Sequence, residues 1–226
     1  MTEIPSPQNQ LVTLDEWTLQ VRTPAVDHKS PVYLLIHGWT GDESVMWVFA
    51  NRLPQRFMMI APRGLYPTSM GGYGWQPHLV HGWPSMDDLL PAVNQLLELL
   101  DRSAQAAFGA HADFSNLHLM GFSQGSAVAY AFALAYPERV RSIVGLSGFM
   151  PNGVIPVVET KPLADKPVFV AHGIQDDTVP VARARQSVEL LEKAGAHVVY
   201  CEDNVGHKLG SECFRAMRHF VDELPG

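Results

Sequence analysis

The sequence predicts an α/β fold with a mostly parallel central sheet and helices on both faces. Six short, mainly apolar runs are each followed closely by small or polar residues, which is typical of strands buried on both faces. Segments with helical spacing lie between most of these runs, and alternation of strand and helix favours parallel pairing. The predicted strands cover residues 32–36, 57–60, 117–120, 142–146, 168–171 and 198–200.

The predicted helices follow from capping residues and apolar spacing. Ser85 can cap a helix whose Asp87 and Asp88 lie in the first turn, where the helix dipole favours acidic side chains. One apolar stripe then follows along this helix, at Leu89, Val93, Leu96, Leu97 and Leu100. Further helices are predicted over residues 125–136, 181–194 and 213–224.

The length of 226 residues, with 46% hydrophobic and 17% charged residues, is that of one globular domain. Residues 1–10 lack apolar periodicity and are expected to form a flexible leader, which leaves residues 11–226 as a single domain. Two short strands near residues 11–14 and 18–22 have no helix between them, so we expect an antiparallel pair at one edge. The irregular segments 65–84 and 149–166 are expected to form pocket walls.

The charge and composition argue against several classes of partner. Sixteen Lys and Arg against 23 Asp and Glu give a formal net charge of −7, whereas nucleic-acid surfaces need clustered positive charge. No apolar run approaches the roughly 18 residues of a membrane span, and the first residues lack the features of a secretory signal. We therefore expect a cytoplasmic protein without stable membrane insertion. Cys201 and Cys213 allow at most one disulfide. Since thiols are kept reduced in the cytoplasm, we expect both cysteines to be reduced.

The most informative motif is Gly121-Phe122-Ser123-Gln124-Gly125, which matches G-x-S-x-G between a predicted strand and a predicted helix. In that setting a tight turn raises the serine hydroxyl above the sheet. The glycines leave room for backbone that the turn brings close. Ser123 is therefore the candidate nucleophile, and the alternative is a glycine-rich turn that only packs a helix on a strand.

A serine nucleophile needs a base within hydrogen-bond reach and a carboxylate that orients the base. Both follow the serine at later strand ends, in the order Ser, Asp, His. His207 lies in the loop after the last predicted strand, and Asp176 follows the strand that ends in His172-Gly173. Asp177 is a rival acid, since a turn shifted by one residue would exchange the two.

The other nine histidines are expected to have other roles. His37 and His172 precede glycines at strand ends and are expected to brace loops near the site. His78 and His81 form an HxxH pair without an evident third ligand, so we predict no metal site. Solvated or structural roles are expected for the rest, which are His28, His111, His118, His197 and His219.

Two backbone N–H groups are expected to stabilise the oxyanion that develops during acyl transfer, each worth roughly 3–4 kcal/mol. One is that of Gln124, directly after the nucleophile and at a helix N-terminus. The second is that of Trp39, in the loop after the strand that ends in Ile36-His37-Gly38. The alternative for this loop is a flexible turn.

Together these residues make the chain resemble the α/β-hydrolases, and more closely the phospholipase/carboxylesterase family that includes the acyl-protein thioesterases. The resemblance extends from about residue 33 to residue 220. The family pattern HGxxDxxVP, present at residues 172–180, places its acid on Asp176 and not on Asp177. The other matching segments are His37-Gly38 with Gly41-Asp42-Glu43, Ala61-Pro62-Arg63-Gly64, the G-x-S-x-G segment and Gly206-His207.

The resemblance implies hydrolysis of a small-molecule ester or thioester through an acyl-serine, with no cofactor. Tyr73 and Trp75 resemble the family's aromatic segment beside the pocket, the alternative being that they fill space under the loop. Phe149, with Trp39 and Trp75, is expected to set pocket depth. The segment between Gly148 and Pro167 is too short for a large lid domain, and a homodimer is compatible with the sequence.

Two positions depart from the family pattern. Ser126 stands where a second glycine is common and is expected to tighten helix packing, while the bulk of Trp39 is expected to narrow the acyl pocket. Two other functions are compatible with the fold: a ligand-binding protein, or a lactonase or perhydrolase with the same triad. The complete triad disfavours the first, and serine instead of cysteine at the elbow disfavours a lactonase of the dienelactone type.

Overall fold

The computed structural model describes residues 8–24, 28–77 and 82–225 and contains one eight-stranded sheet. Along the chain, the strands are β1 (Gln8–Leu14), β2 (Trp17–Thr23), β3 (Ser30–Ile36), β4 (Met58–Pro62), β5 (Tyr66–Pro67), β6 (Tyr73–Gly74), β7 (Ala112–Phe122), β8 (Val140–Leu146), β9 (Pro167–Gly173) and β10 (His197–Asp203). The sheet order is β1-β2-β4-β3-β7-β8-β9-β10, and β5 pairs with β6 separately. In sheet order, every neighbouring pair from β4 through β3, β7, β8 and β9 to β10 is parallel. The strand β2 pairs antiparallel with both β1 and β4. The predicted mostly parallel sheet with an antiparallel edge is confirmed.

Helices α1 to α5 lie between strands, as the alternation predicts, and α6 follows β10. They are α1 (Trp47–Ala50), α2 (Met86–Gln105), α3 (Gln124–Ala135), α4 (Ile155–Val158), α5 (Val181–Lys193) and α6 (Ser211–Glu223). Ser85 caps α2 as predicted: its hydroxyl accepts the Asp88 backbone N–H at 3.2 Å, and the Asp88 carboxylate accepts the Ser85 backbone N–H at 2.7 Å. Within the described residues no helix is long and apolar enough to cross a bilayer.

The core has two layers, one on each face of the sheet. Along β3, Val32, Leu34 and Ile36 pack in the layer that includes α2 and α3, while Tyr33 and Leu35 pack in the layer that includes α6. All five side chains are fully buried. This burial on both faces explains the continuous apolar run, and helices on both faces are confirmed, without a large lid.

The structure differs from the sequence prediction at the chain's start and in the two irregular segments. Residues 8–10 belong to β1 and not to a leader, since Gln8 pairs with Thr23. The strand β1 lies at the edge of the sheet, where Asn9 and Gln10 are exposed, which suits their polar side chains. Residues 1–7 lie outside the described residues. The hairpin β5–β6 lies within segment 65–84, and α4 lies within segment 149–166.

Cys201 and Cys213 form a disulfide, so the expectation of reduced thiols is wrong for this structure. Their Cα atoms are 5.5 Å apart. Cys201 lies on β10 and Cys213 in the first turn of α6. The chain between them carries His207 over the carboxyl end of the sheet and back, and this return brings the two cysteines together. The bond therefore closes the loop of the candidate base.

Candidate active site

Ser123 lies at the sharp turn between β7 and α3. Its backbone has φ of +54° and ψ of −118°, a sparsely populated conformation that costs energy and is held by the surrounding structure. A side chain at Gly121 would overlap the backbone of Gly125, and one at Gly125 would overlap the backbone of Ile36. Both glycines of the motif are therefore required sterically, and the turn leaves the Ser123 side chain half-buried at the top of the sheet.

Ser126, the first departure from the family pattern, ties the start of α3 to the sheet. Its buried hydroxyl oxygen lies 2.8 Å from the Gly121 carbonyl oxygen and 3.0 Å from the Leu146 carbonyl oxygen. It also accepts the Leu146 backbone N–H at 3.0 Å. These contacts tighten the packing of α3 against β7 and β8 behind the candidate nucleophile.

Asp176 and His207 are joined directly. The His207 Nδ1 lies 2.7 Å from the Asp176 Oδ2, while the Asp176 Oδ1 accepts the backbone N–H groups of Thr178 at 3.0 Å and Val179 at 2.8 Å. A carboxylate that accepts at both oxygens places the imidazole proton on Nδ1 and leaves Nε2 as an acceptor. The Asp176 side chain is fully buried, whereas Asp177 is exposed, so the geometry favours Asp176 as the acid.

His207 also approaches the nucleophile's turn. Its ring centroid lies 5.1 Å from that of Phe122, the residue before Ser123. In the described part of the chain no hydrogen bond joins the Ser123 hydroxyl to His207. Such bonds are often long in enzymes without substrate and shorten when substrate binds. The structure thus joins Asp176 to His207 and brings His207 beside the strand end that carries Ser123.

Trp39 and Gln124, the two candidates for the oxyanion hole, line the same cavity as Ser123. Among the residues described, neither backbone N–H donates to an acceptor of the chain. Both groups are therefore available to an acceptor bound in this cavity.

His37 holds the loop of Trp39 in place. Its Nε2 accepts the Gly64 backbone N–H at 2.7 Å, so its Nδ1 carries the proton and donates to the Gly38 carbonyl oxygen at 2.7 Å. Burial lowers the pKa of His37, which keeps the imidazole neutral and able to accept. The structure places this histidine as a brace beside the site.

His172 supports the acid in a similar way. Its Nε2 donates to the Val179 carbonyl oxygen at 2.7 Å and lies 3.3 Å from the Asp176 Oδ2. Burial is the main cause that lowers the pKa of His172, so the ring is neutral. It therefore fixes the turn of Asp176 without adding a charge.

The cavity at Ser123 has a volume of about 260 Å³. Phe149, a predicted pocket residue, lines it, and its ring packs edge-on against Trp83 with centroids 4.6 Å apart. As far as the structure describes the chain, Tyr73 and Trp75 do not line this cavity. The buried Trp75 donates its indole N–H to the His37 carbonyl oxygen at 2.8 Å, and the Tyr73 ring lies under the Arg63 guanidinium. These contacts with neighbouring loops favour the alternative for Tyr73 and Trp75, that they fill space under the loop.

Sequence reasoning missed several wall residues, although segment 65–84 was expected to supply a wall. Gln124 connects that segment to the elbow, because its side-chain Oε1 accepts the Trp75 backbone N–H at 3.1 Å and its Nε2 donates to the Gln76 Oε1 at 3.2 Å. The irregular sequence of the segment, rich in Gly, Pro and Trp, indicated a wall but not which side chains face inward. The missed residues are Gln76, Gly82, Trp83, Pro84, Thr178 and Val179.

No group of three or more His, Cys, Asp or Glu side chains is arranged to hold a metal ion within residues 8–24, 28–77 and 82–225. The HxxH pair, His78 and His81, lies outside the described residues. The described geometry offers hydrogen bonding, proton transfer and a nucleophile, which are the elements of covalent acyl transfer.

A nucleophile elbow after β7, with acid and base after later strands of the same parallel sheet, defines an α/β-hydrolase. Within that class, the model of the phospholipase/carboxylesterase family matches residues 18–224. The chain belongs to this family, as the sequence resemblance implied. It is a serine hydrolase that acts on carboxylic esters or thioesters.

Two yeast relatives and one solved structure are distant in sequence but match about nine tenths of this chain. The acyl-protein thioesterase 1 of Debaryomyces hansenii is 26% identical over 91% of this chain and 96% of its own length. The Schizosaccharomyces pombe protein of the same name is 27% identical over 90% of this chain and 94% of its own length. The Bacillus cereus carboxylesterase structure, at 24% identity, has a TM-score of 0.81 and covers 92% of this chain and 95% of its own, which shows a shared fold.

Proposed function

We propose that Ser123, His207 and Asp176 act as nucleophile, general base and orienting acid of this hydrolase. The observation that carries the proposal is the 2.7 Å contact between His207 Nδ1 and the buried Asp176 carboxylate. It fixes the tautomer in which Nε2 is free to take a proton. The strained turn at Ser123 supports the same assignment, since a hydroxyl raised at a strand end is the arrangement that the nucleophile needs.

The reaction proceeds in two half-reactions. His207 Nε2 removes the Ser123 hydroxyl proton as Oγ attacks the acyl carbon, and the resulting oxyanion accepts from the N–H groups of Trp39 and Gln124. His207 then returns the proton to the leaving oxygen or sulfur, the bond to the leaving group breaks, and an acyl-serine remains. Water, deprotonated by His207, attacks this intermediate and releases the acid and free Ser123.

The cavity next to Ser123 is proposed as the acyl site. It contains both proposed oxyanion donors, and its outer wall is the aromatic pair Trp83 and Phe149. Its volume of about 260 Å³ lies just below the roughly 300–1,000 Å³ of drug-sized ligand sites. We therefore propose that the substrate carries a short to medium acyl chain, and that the Trp39 side chain narrows the cavity that holds it. The names of the yeast relatives support thioesters beside esters as substrates.

A panel of p-nitrophenyl esters from acetate to palmitate, with an acyl-CoA and a lysophospholipid, tests this assignment. We expect kcat/KM to be highest for a short or medium acyl chain. Phe149→Leu enlarges the cavity and should move the optimum to longer chains. Phe114→Leu, the same change at a partly buried position near the start of β7, should leave the optimum in place. An optimum at palmitate in wild type, or an unmoved optimum in Phe149→Leu, would contradict the acyl site.

A cytoplasmic location is also proposed, as the sequence predicts. Disulfides are rare in cytoplasmic proteins, so the bond between Cys201 and Cys213 provides a direct test. Alkylation of free thiols during lysis, followed by mass spectrometry of the Cys201 and Cys213 peptides, measures the oxidised fraction. Activity in the soluble cytoplasmic fraction supports the location, and activity only in an exported or membrane fraction contradicts it.

A further inference from the structure

An open, apolar groove lies beside His207 and shares no lining residue with the acyl cavity in the described structure. Its volume is about 340 Å³. Val45, Val48 and Phe49 form the wall near α1, and Leu209 and Phe214 form the wall near α6. Phe122 lies between the two walls, so the groove is continuous with the strand end that carries the candidate nucleophile.

The groove comes close to the candidate base, because its lining residues Phe122 and Lys208 are neighbours of His207. The Phe122 ring centroid is 5.1 Å from that of the His207 imidazole and 6.2 Å from that of Phe49. Lys208, which directly follows His207, also lines the groove. A chain seated in the groove would therefore reach the imidazole at one end.

The wall near α1 exposes apolar surface that the fold does not use. Val45 is 45% exposed and Val48 is 65% exposed. Exposed apolar side chains grouped in a groove mark a binding site for an apolar ligand. Because the groove lies next to the candidate base, a part of the substrate is the ligand to consider.

The chemistry decides which part of the substrate lies there. The general acid must be within hydrogen-bond reach of the leaving oxygen or sulfur, so the leaving group lies on the side of His207. The oxyanion points toward Trp39 and Gln124, and the acyl chain follows the cavity that those residues line. The groove beside His207 is therefore the surface left for the leaving group.

We propose that this groove binds the leaving group of the substrate, an alcohol or thiol that carries a hydrocarbon chain. The inference rests on the proposed function, because it takes its direction from His207 as the proton donor. It assigns the enzyme two apolar subsites, one for each side of the scissile bond.

The test uses esters of one short acid with unbranched alcohols from ethanol to hexanol. These alcohols have similar acidity, so differences in kcat/KM report binding of the alkyl chain. Burial of each methylene should raise kcat/KM by roughly two- to fourfold. Val48→Asn should lower the hexyl-to-ethyl ratio of kcat/KM severalfold. Val199→Asn, at a valine on β10 that is 49% exposed, is the matched control and should preserve the ratio.

The outcomes separate this inference from the proposed function. Loss of all turnover in Ser123→Ala, together with equal kcat/KM for ethyl and hexyl esters in wild type, retains the function and overturns the groove. A Val48→Asn variant that changes the preferred acyl length instead overturns it too. The groove proposal is also overturned if Val48→Asn changes the oligomeric state, measured by light scattering, but leaves the hexyl-to-ethyl ratio of kcat/KM unchanged. The groove would then hold a second copy of the chain. Turnover that persists in Ser123→Ala contradicts the proposed function itself.

Discussion

Adjacent carboxylates at positions 176 and 177 have different surroundings, because the turn after β9 directs only one of them inward. Asp176 accepts hydrogen bonds from Thr178, Val179 and His207, and its side chain is fully buried. Asp177 is exposed. A buried carboxylate that accepts from this many donors is fixed in position and orients the imidazole.

Asp176→Asn should lower kcat by about 10⁴-fold, because an amide can donate to Nδ1 and favour the wrong imidazole tautomer. Asp177→Asn should leave kcat within about twofold, since surface substitutions away from special features have small effects. Steady-state kinetics on both variants, with circular dichroism to verify folding, measures the difference. Equal losses in the two variants would remove Asp176 from its proposed role.

The residues of the candidate site differ in how far the sequence could predict them. Ser123, Asp176 and His207 follow from a local motif and from chain order. Tyr73 and Trp75 do not, because the direction of a loop side chain depends on a distant partner. The Trp75 indole is directed by the His37 carbonyl oxygen, 38 residues earlier in the chain. The sequence indicated which segment lies near the site, whereas the structure is needed to see that Trp83 and Phe149 are the aromatic side chains that line the cavity at Ser123.

At the scale of elements, the loop between β10 and α6 joins the candidate base to the fold. The disulfide connects the strand before this loop to the helix after it. The Asp203 carboxylate, at the end of β10, also accepts the Cys213 backbone N–H at 3.0 Å. Both ends of the loop are therefore held while His207 itself is partly exposed.

Reduction of the disulfide should lower the free energy of unfolding by about 2–3 kcal/mol, because an open loop of this length has more freedom in the unfolded chain. Urea unfolding with and without reductant measures the change. In the double variant Cys201→Ser/Cys213→Ser, reductant should have no effect. Unchanged stability of wild type after both thiols are shown to be free would contradict this prediction.

Long elements were predictable from sequence and short ones were not. The buried strands stand out because both faces need apolar side chains, and α2 stands out through its cap and stripe. The hairpin β5–β6 has only two residues in each strand and lies among glycines, so it carries no periodic signal. The cysteine pair has no local signature either, because the return from β10 to α6 creates the proximity.

For the molecule as a whole, the sheet encloses a histidine that affects stability. His118 on β7 is fully buried, with its ring centroid 5.2 Å from that of Tyr33 and 5.4 Å from that of Phe57. Its Nδ1 lies 2.7 Å from the Ser142 hydroxyl oxygen. Burial lowers the pKa of His118 from its ordinary 6.5 to about 4. Folding therefore disfavours the protonated ring.

The free energy of unfolding should fall as the pH decreases from 6.5 towards 4. The unfolded chain binds the His118 proton first, so this contribution is fully present above pH 6.5 and lost as the pH falls through the folded-state pKa of about 4. Urea unfolding across this range measures the slope. His118→Asn should flatten it, whereas His219→Asn, at a side chain 75% exposed, should not. Identical slopes in wild type and His118→Asn would contradict the prediction.

The proposed function requires one activated hydroxyl, at position 123, that forms the acyl-enzyme. Mass spectrometry of peptides after reaction with a fluorophosphonate, which phosphonylates an activated serine, tests this requirement. We expect one label per chain, located on Ser123, and no label in a folded Ser123→Ala variant that has also lost ester hydrolysis. A label on another residue, or full hydrolysis by Ser123→Ala, would contradict it.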